Sequence, residues 1–236
     1  MSKLNIIFTT SIYVSDEHHP KPASVFIPEW YKKLESYING SKKPIGDGSS
    51  AATAKRCMPV FDAIAGGYII VSSADVFVSQ KENLDGTKSP YFEWANNNLI
   101  GFHPIEQMPE HPNRNGHPEY PKWMNSWAIK TPKGYSTLFV QPMHRESPFT
   151  ILPGIVDTDI YTAPVNFPFV LNDINFEGLI PAGTPIAQVI PIKRDEWQMS
   201  IGGETERVEN QEVLSRLRSK FFDRYKSMFR QPKEYK

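Results

Sequence analysis

The stretch Leu152-Pro153-Gly154-Ile155-Val156-Asp157-Thr158-Asp159-Ile160-Tyr161 opens the part of the chain that decides the fold. It continues through Val165-Asn166-Phe167-Pro168-Phe169-Val170-Leu171 to Ile180-Pro181-Ala182-Gly183-Thr184-Pro185-Ile186-Ala187-Gln188-Val189-Ile190, and closes near Trp197. Short apolar runs rich in β-branched and aromatic residues, separated by Pro-Gly and Ala-Gly pairs, read as strands joined by tight turns. Polar groups stand at the edges of these runs: Asp157, Asp159 and Tyr161 on the first, Gln188 on the last. No other part of the chain combines so much strand character with so many placed polar groups, so the rest reads as scaffold around it.

The chain has 236 residues, which suits a single domain with one core. Its 21 prolines, against a usual ~5%, break helices and are kept out of central strands, so many short strands and ordered loops are expected. A formal net charge of zero argues against a dominant polyanion-binding surface, and nucleic acid is not expected as a partner. Cys57 is the single cysteine, which excludes an internal disulfide and a cysteine-based zinc site within one chain. The first residues carry too short an apolar run for a signal peptide, and no run approaches the ~18 apolar residues of a membrane span. The expectation is a cytoplasmic protein without a membrane partner, in a host cytoplasm or associated with a virion if phage-encoded.

Residues 1–55 are expected to form an N-terminal strand (Leu4 to Thr9), a short aromatic helix starting at Pro28, and a loop. Residues 56–200 then form the β core, with a helical turn over Met58 to Ala65 closed by Gly66-Gly67. Strands follow at Tyr68–Val71, Val76–Val78, Tyr91–Trp94, Trp127–Ile129 and Tyr135–Gln141, and Asp85-Gly86 is a hairpin signal. Residues 99–122 read as an irregular insertion, with His103, His111 and His117 each followed by proline. Residues 204–230 read as a long amphipathic C-terminal helix, because Leu214, Leu217, Phe221, Tyr225 and Met228 recur at spacings of 3 or 4.

The three histidines match no metal-ligand spacing and fit a proline-rich loop, so no metal ligand is assigned. Cys57 follows Lys55-Arg56, which could lower a thiol pKa, but its apolar neighbours Met58 to Phe61 favour a buried structural cysteine. His144-Arg145-Glu146-Ser147 is a dense polar cluster after a strand; Arg145 could grip an anion, or the cluster could be a charged strand-end turn.

Gly154, Asp157, Tyr161, Gly183, Ile186, Ala187 and Gln188 together resemble the dUTPase and dCTP deaminase family. The likeness covers residues 132–197, with Pro132-Lys133-Gly134-Tyr135 and Leu138-Phe139 placed before the counterparts of that family's phosphate-binding Arg-Ser, here Arg145 and Ser147. It implies a mainly β fold, a β-clip or distorted jelly roll, in a homo-oligomer with a trimer favoured. It further implies that Asp157 helps to orient or deprotonate an attacking water, that Tyr161 stacks against the sugar or base, and that Arg145, Ser147 and Gln188 hold phosphates, with Mg²⁺ arriving on the substrate phosphates. Phe26 to Lys33, Ala54 to Pro59 and Ile129 to Ser136 also make the whole chain look similar to a family found in bacteriophages and bacteria, a resemblance that carries no activity with it.

Two functions are therefore expected from different classes. One is nucleotide binding, extending to nucleoside-triphosphate hydrolysis, with Asp157 as the catalytic residue and Arg145, Ser147, Tyr161 and Gln188 binding substrate. The other is a non-enzymatic phage-related structural or assembly protein that uses the same fold for oligomer contacts, with Trp94, Trp123 or Trp127 on an apolar surface.

Overall fold

Alternating apolar runs cut short by proline fold, among the described residues, into fourteen strands: β1 (Ile7–Thr9), β2 (Lys21–Pro22), β3 (Tyr68–Val71), β4 (Val76–Glu82), β5 (Lys88–Trp94), β6 (Ile100–Pro104) and β7 (Glu119–Trp123), then β8 (Ala128–Lys130), β9 (Tyr135–Val140), β10 (Phe149–Ile151), β11 (Gly154–Val156), β12 (Phe167–Leu171), β13 (Gly178–Ile180) and β14 (Pro185–Lys193). The computed structural model describes residues 4–46, 50–95, 98–114, 116–219 and 224–235. The chain divides into two compact units: Met1–Phe26 with Gly66–Arg194, and Ile27–Ala65 with Asp195–Lys236.

The first unit is mainly β and wholly antiparallel, in sheets ordered β11-β9-β14-β3-β2, β10-β12-β7-β6, β13-β4-β5 and β1-β8. The prolines inside strands explain how the sheets are cut. Pro191 in β14 lies opposite Thr137 of β9, beyond the point where β3 stops pairing at Val189. Pro121 in β7 faces Phe102 of β6, while β12 pairs with β7 only at Lys122 and Trp123. Each proline thus sits where one neighbour is missing, and its lack of an N–H breaks no ladder.

The core gathers Ile70, Phe139, Val189 and Ile186 with an aromatic cluster from β7, β10 and β12. Trp123 stacks on Phe169 with centroids 5.3 Å apart and lies 5.2 Å from Phe149. Its indole N–H is buried with no acceptor among the described residues. Burying an aromatic side chain of 150–250 Å² is worth about 4–6 kcal/mol, against about 1–3 kcal/mol for the orphaned donor, so packing wins. Residues 99–122, expected to be irregular, carry β6 and β7 at their two ends and so supply half of this four-stranded sheet. Trp123 and Trp127, expected at a surface, are buried.

The second unit holds α1 (Glu29–Lys33), α2 (Met58–Ala65), α3 (Glu204–Ser219) and α4 (Arg224–Met228). Asp62 of α2 accepts hydrogen bonds from Arg230 Nη2 (2.7 Å), Lys233 Nζ (2.7 Å) and the Tyr235 hydroxyl, and so anchors the C-terminal segment. Burial pushes the Asp62 carboxyl up, but those three donors outweigh it and hold the group well below the usual carboxylate range. Cys57, expected to be buried, is exposed: its carbonyl accepts from Val60 and Phe61 N at the start of α2, and it follows the turn at Ala54–Arg56.

The expected amphipathic helix over 204–230 takes a different form. It is described as α3 and α4, Leu214 and Tyr225 of the apolar stripe are exposed, Leu217 is half-buried, and Phe221 lies outside the described residues. The 3.6 periodicity is present in the sequence, but Leu214 and Tyr225 of the stripe face solvent while Leu217 and Met228 are half-buried.

Gly67 enters β3 at φ +73°, and a Cβ there would lie 2.2 Å from the Val189 carbonyl oxygen of β14. Gly134, at φ +86°, faces open space. Gly67→Ala should cost about 2–4 kcal/mol, from both the left-handed backbone and the clash, and Gly134→Ala about 1–2 kcal/mol from the backbone alone. Urea unfolding of the two variants measures the difference, and equal losses would contradict the close approach.

Candidate functional site

At the end of β9 the chain turns through residues 141–148, and three side-chain amides hold that turn. Gln141 Oε1 accepts from Ile151 N at 2.9 Å. Gln188, on β14 and fully buried, accepts from Met143 N at 2.9 Å and donates to the Gly66 carbonyl at 2.7 Å. Asn172 donates from Nδ2 to the Ser147 carbonyl at 2.7 Å and from its backbone N to the Pro148 carbonyl at 2.9 Å. Within the turn His144 takes φ +56°, a left-handed conformation uncommon for a residue with a side chain.

Arg145 lies at the centre of this turn. Its Nε and Nη2 are shielded from solvent and have no hydrogen-bond partner among the described residues. Burial pulls its guanidinium down to about 10, because the charged form is poorly solvated there. A guanidinium offers five N–H donors in a fixed fork, and leaving them unpaired in a shielded place is costly. Nearby, Ser147 Oγ accepts from Phe149 N at 3.3 Å.

Asp157 and Tyr161 occupy the turn that follows β11. The Asp157 carbonyl accepts from Ile160 N (3.0 Å) and Tyr161 N (2.8 Å). Its carboxylate, 59% exposed, accepts from Ser136 Oγ at 2.6 Å and Arg194 Nη1 at 3.2 Å. Asp159, only 3% exposed, is bound more tightly: it accepts from Gly134 N at 2.8 Å, from Arg194 Nη1 at 2.8 Å and from Arg194 Nη2. Those hydrogen bonds from Arg194 and from the Gly134 amide hold the Asp159 carboxyl down at about 2. The Tyr161 side chain is exposed.

The sheet register places the expected site residues in two groups. Gln188 lies opposite Val140, and Ser136, which holds Asp157, lies opposite Ile192. Four residues of strand, about 13 Å, separate those positions. Arg145, Ser147 and Gln188 therefore belong to one end of β9, and Asp157 and Tyr161 to the other. Gln188 spends both ends of its amide on backbone groups, so it acts inside the fold as the support of the Arg145 turn. Gln141, Asn172 and Arg194 were not singled out from the sequence; the partners of Asn172 and Arg194 lie roughly 25 to 60 residues away, and no local pattern marks them.

The histidines do separate work. His117 is buried, its Nε2 accepts from Leu171 N at 2.9 Å, and burial lowers its pKa, so it is neutral and structural. His111 Nδ1 accepts from Asn113 N at 3.1 Å, and His103 pairs across β6 and β7 with Tyr120. Among the described residues no group of three or more His, Cys, Asp or Glu could hold a metal ion. An open groove of about 360 Å³ lies over β10 and β12, lined by Pro112, Asn113, Thr150, Val170, Leu171 and Asn172. Asn172 connects it to the Arg145 turn through the Ser147 carbonyl. Among the described residues, no helix is long and apolar enough to cross a membrane.

Comparison with protein-family models finds no match, and comparison with curated proteins finds none either.

Asp159 carries a pH dependence with a definite sign. Its folded pKa, about 2, lies below the ordinary 3.8, so it stabilises the fold above about pH 4 and that contribution is lost as the pH falls toward 2. Asp159→Asn should therefore flatten part of the fall in stability between pH 4 and 2. Urea midpoints measured across that window test this, and an unchanged profile would show that the Arg194 pairing contributes nothing.

Proposed function

We propose that the protein binds a phosphate-bearing ligand of the nucleotide class at the Arg145 turn. The observation that supports this is the guanidinium itself: two shielded nitrogens with no hydrogen-bond partner among the described residues, on a turn clamped by Gln141, Gln188 and Asn172. A phosphate oxygen pair matches that fork in a bidentate way, and an anion there would relieve the cost of burying an unpaired cation. Ser147 adds a hydroxyl two residues on, and the groove beside Asn172 offers room for the uncharged part of the ligand. This agrees with the phosphate-binding role that the dUTPase-like resemblance gives to Arg145 and Ser147, in a β-clip or jelly-roll fold.

Hydrolysis is the finer step of the same reading. It needs a carboxylate near the phosphates, and Asp157 of the same chain lies at the other end of β9, held by Ser136 and Arg194. A homo-oligomer, with a trimer favoured, would let Asp157 and Tyr161 of one subunit complete the Arg145 end of the next. Asp157 would then orient the attacking water, Tyr161 would stack on the base or sugar, and Mg²⁺ would come bound to the substrate phosphates.

A second reading, an assembly protein, has its own support. Trp197, Met199 and Ile201 are each about nine-tenths exposed, more apolar surface than a lone chain usually leaves in one segment. Both readings place the protein in oligomers.

A thermal-shift titration with deoxynucleoside triphosphates and inorganic triphosphate, each with Mg²⁺, tests the first reading. At a ligand concentration 100 times Kd the native state gains about 2.7 kcal/mol, a clear rise in Tm. Arg145→Gln should abolish that rise while raising the Tm of the ligand-free protein, because it removes an unpaired buried charge. Asp157→Asn should keep binding and lose phosphate release. No shift with any triphosphate, or an equal shift in Arg145→Gln, would remove the proposed site.

A further inference from the structure

Two histidine rings hold the two walls of the groove over β10 and β12. On one wall His111 Nδ1 accepts from Asn113 N at 3.1 Å, and Pro112 and Asn113 line the groove. On the other, His117 Nε2 accepts from Leu171 N at 2.9 Å, and Leu171 and Asn172 line it. An imidazole accepts through a bare ring nitrogen, so each bond lasts only while that nitrogen carries no proton.

His117 stands where a sheet ladder has run out. β12 pairs with β7 at Phe167↔Trp123 and Pro168↔Lys122, and the next residue of β7 in that direction, Pro121, has no N–H to give. Carried on, the register would set Leu171 opposite Glu119, but Leu171 N finds an acceptor in the ring two residues before Glu119. That ring is buried, at 1% exposure. Leu171 is in turn joined to the Arg145 turn through the next residue. Asn172 gives its backbone N to the Pro148 carbonyl at 2.9 Å and its Nδ2 to the Ser147 carbonyl at 2.7 Å, while its Oδ1 accepts from Thr150 Oγ1 at 2.7 Å. What holds Leu171 in place therefore also holds the residue that clamps the turn.

We infer that His117 is a proton switch for the Arg145 turn: the neutral ring holds Leu171, and so Asn172, against the Ser147 and Pro148 carbonyls, and a proton on Nε2 releases them. The inference rests on the Arg145 reading and adds regulation of that site by pH.

Protonation sets one N–H against another. Leu171 N loses this acceptor, and a charge appears at a buried position. Burial holds the His117 proton affinity below the ordinary histidine value, so the ring is neutral at pH 7. Its contribution to stability is whole above about pH 6.5 and is lost as the pH falls toward the lowered folded value. On its own loop, Arg114 gives Nε to the His117 carbonyl at 3.2 Å, a cation that further opposes charging the ring. The strands Phe167–Leu171 and Phe149–Ile151 carry no ionisable side chain, and Asp173 follows Asn172. β6 and β7 bring His103, Lys122 and Glu119, the last pushed up by burial. His111 and Glu119 are therefore the groups whose own titration the test must separate from that of His117.

Two measurements from about pH 7.5 to about pH 4.5 make the test: amide exchange in the ligand-free protein, and thermal-shift titration with inorganic triphosphate and Mg²⁺. In wild type the Leu171 and Asn172 amides should lose protection by about tenfold or more across this range, while Val189 and Phe139 of the β14–β9 ladder keep theirs. In His117→Gln the side-chain oxygen replaces Nε2 as acceptor and does not titrate, so both amides should stay protected in acid. The triphosphate affinity of wild type relative to this variant should fall by about tenfold per pH unit once the ring charges, since the ligand's own protonation is common to both. His111→Asn and Glu119→Gln should keep the wild-type profile. Should His117→Gln fail to fold, the wild-type exchange profile decides, because loss of protection must track the ring titration of His117 followed by NMR. Unchanged protection in wild-type acid, an equal loss in His117→Gln, a loss shared by the whole β14–β9 ladder, or parallel affinity profiles would overturn the inference. Triphosphate binding that ignores His117 would leave the Arg145 reading standing and this one refuted, whereas no binding at any pH would refute both.

Discussion

A single buried amide ties the turn that carries Arg145 to the middle of a core strand. Gln188 sits in the middle of β14 among apolar neighbours, and it can be there only because both its oxygen and its nitrogen are satisfied. Its oxygen takes the Met143 N–H at the start of the 141–148 turn, and its nitrogen gives to the Gly66 carbonyl beside the close approach of Gly67 to Val189. Each bond contributes only about 1 kcal/mol net, but losing the amide would leave two half-buried backbone groups without this partner, at up to about 1–3 kcal/mol each. That asymmetry makes the turn's position a property of the core and gives a loop residue the rigidity of a strand.

Arg145 is the consequence. A mobile surface loop would let an arginine reach water, whereas a turn clamped by Gln141, Gln188 and Asn172 holds it where Nε and Nη2 are shielded. Under the proposed reading such an arrangement lowers the stability of the ligand-free protein, a trade of stability for readiness to take an anion. The far end of β9 is organised in the opposite manner. There Arg194 is matched by Asp157 and Asp159, with Ser136 and Gly134 completing the hydrogen bonding, so that each of the three charged groups has a partner.

Much of the β architecture was legible in the sequence because its signals are local. β-branched runs, the Asp85-Gly86 hairpin and the Gly66-Gly67 stop depend on neighbours within a few residues, and β3, β4, β5, β9 and α2 follow them. The 99–122 segment misled because its prolines suggested irregularity, while β7 tolerates Pro121 at a place where only β6 pairs. Gln188 stood out as a placed polar residue, but its role did not: a strand position says that a side chain is buried, not which carbonyl it will meet 122 residues earlier. The Arg194 pairing with Asp159 was hidden for the same reason, at a separation of 35 residues. The apolar stripe over 214–228 was legible as a periodicity, but a period carries no information about what fills the other side.

The claim on which the rest stands is that Gln188 fixes the Arg145 turn, and residue-resolved amide hydrogen exchange measures it most directly. In wild type the Met143 amide should be protected, and in Gln188→Leu its protection should fall by about tenfold or more while the Val189 and Phe139 amides of the β14–β9 ladder stay protected. A Met143 amide that exchanges freely in wild type, or one equally protected in the variant, would contradict it.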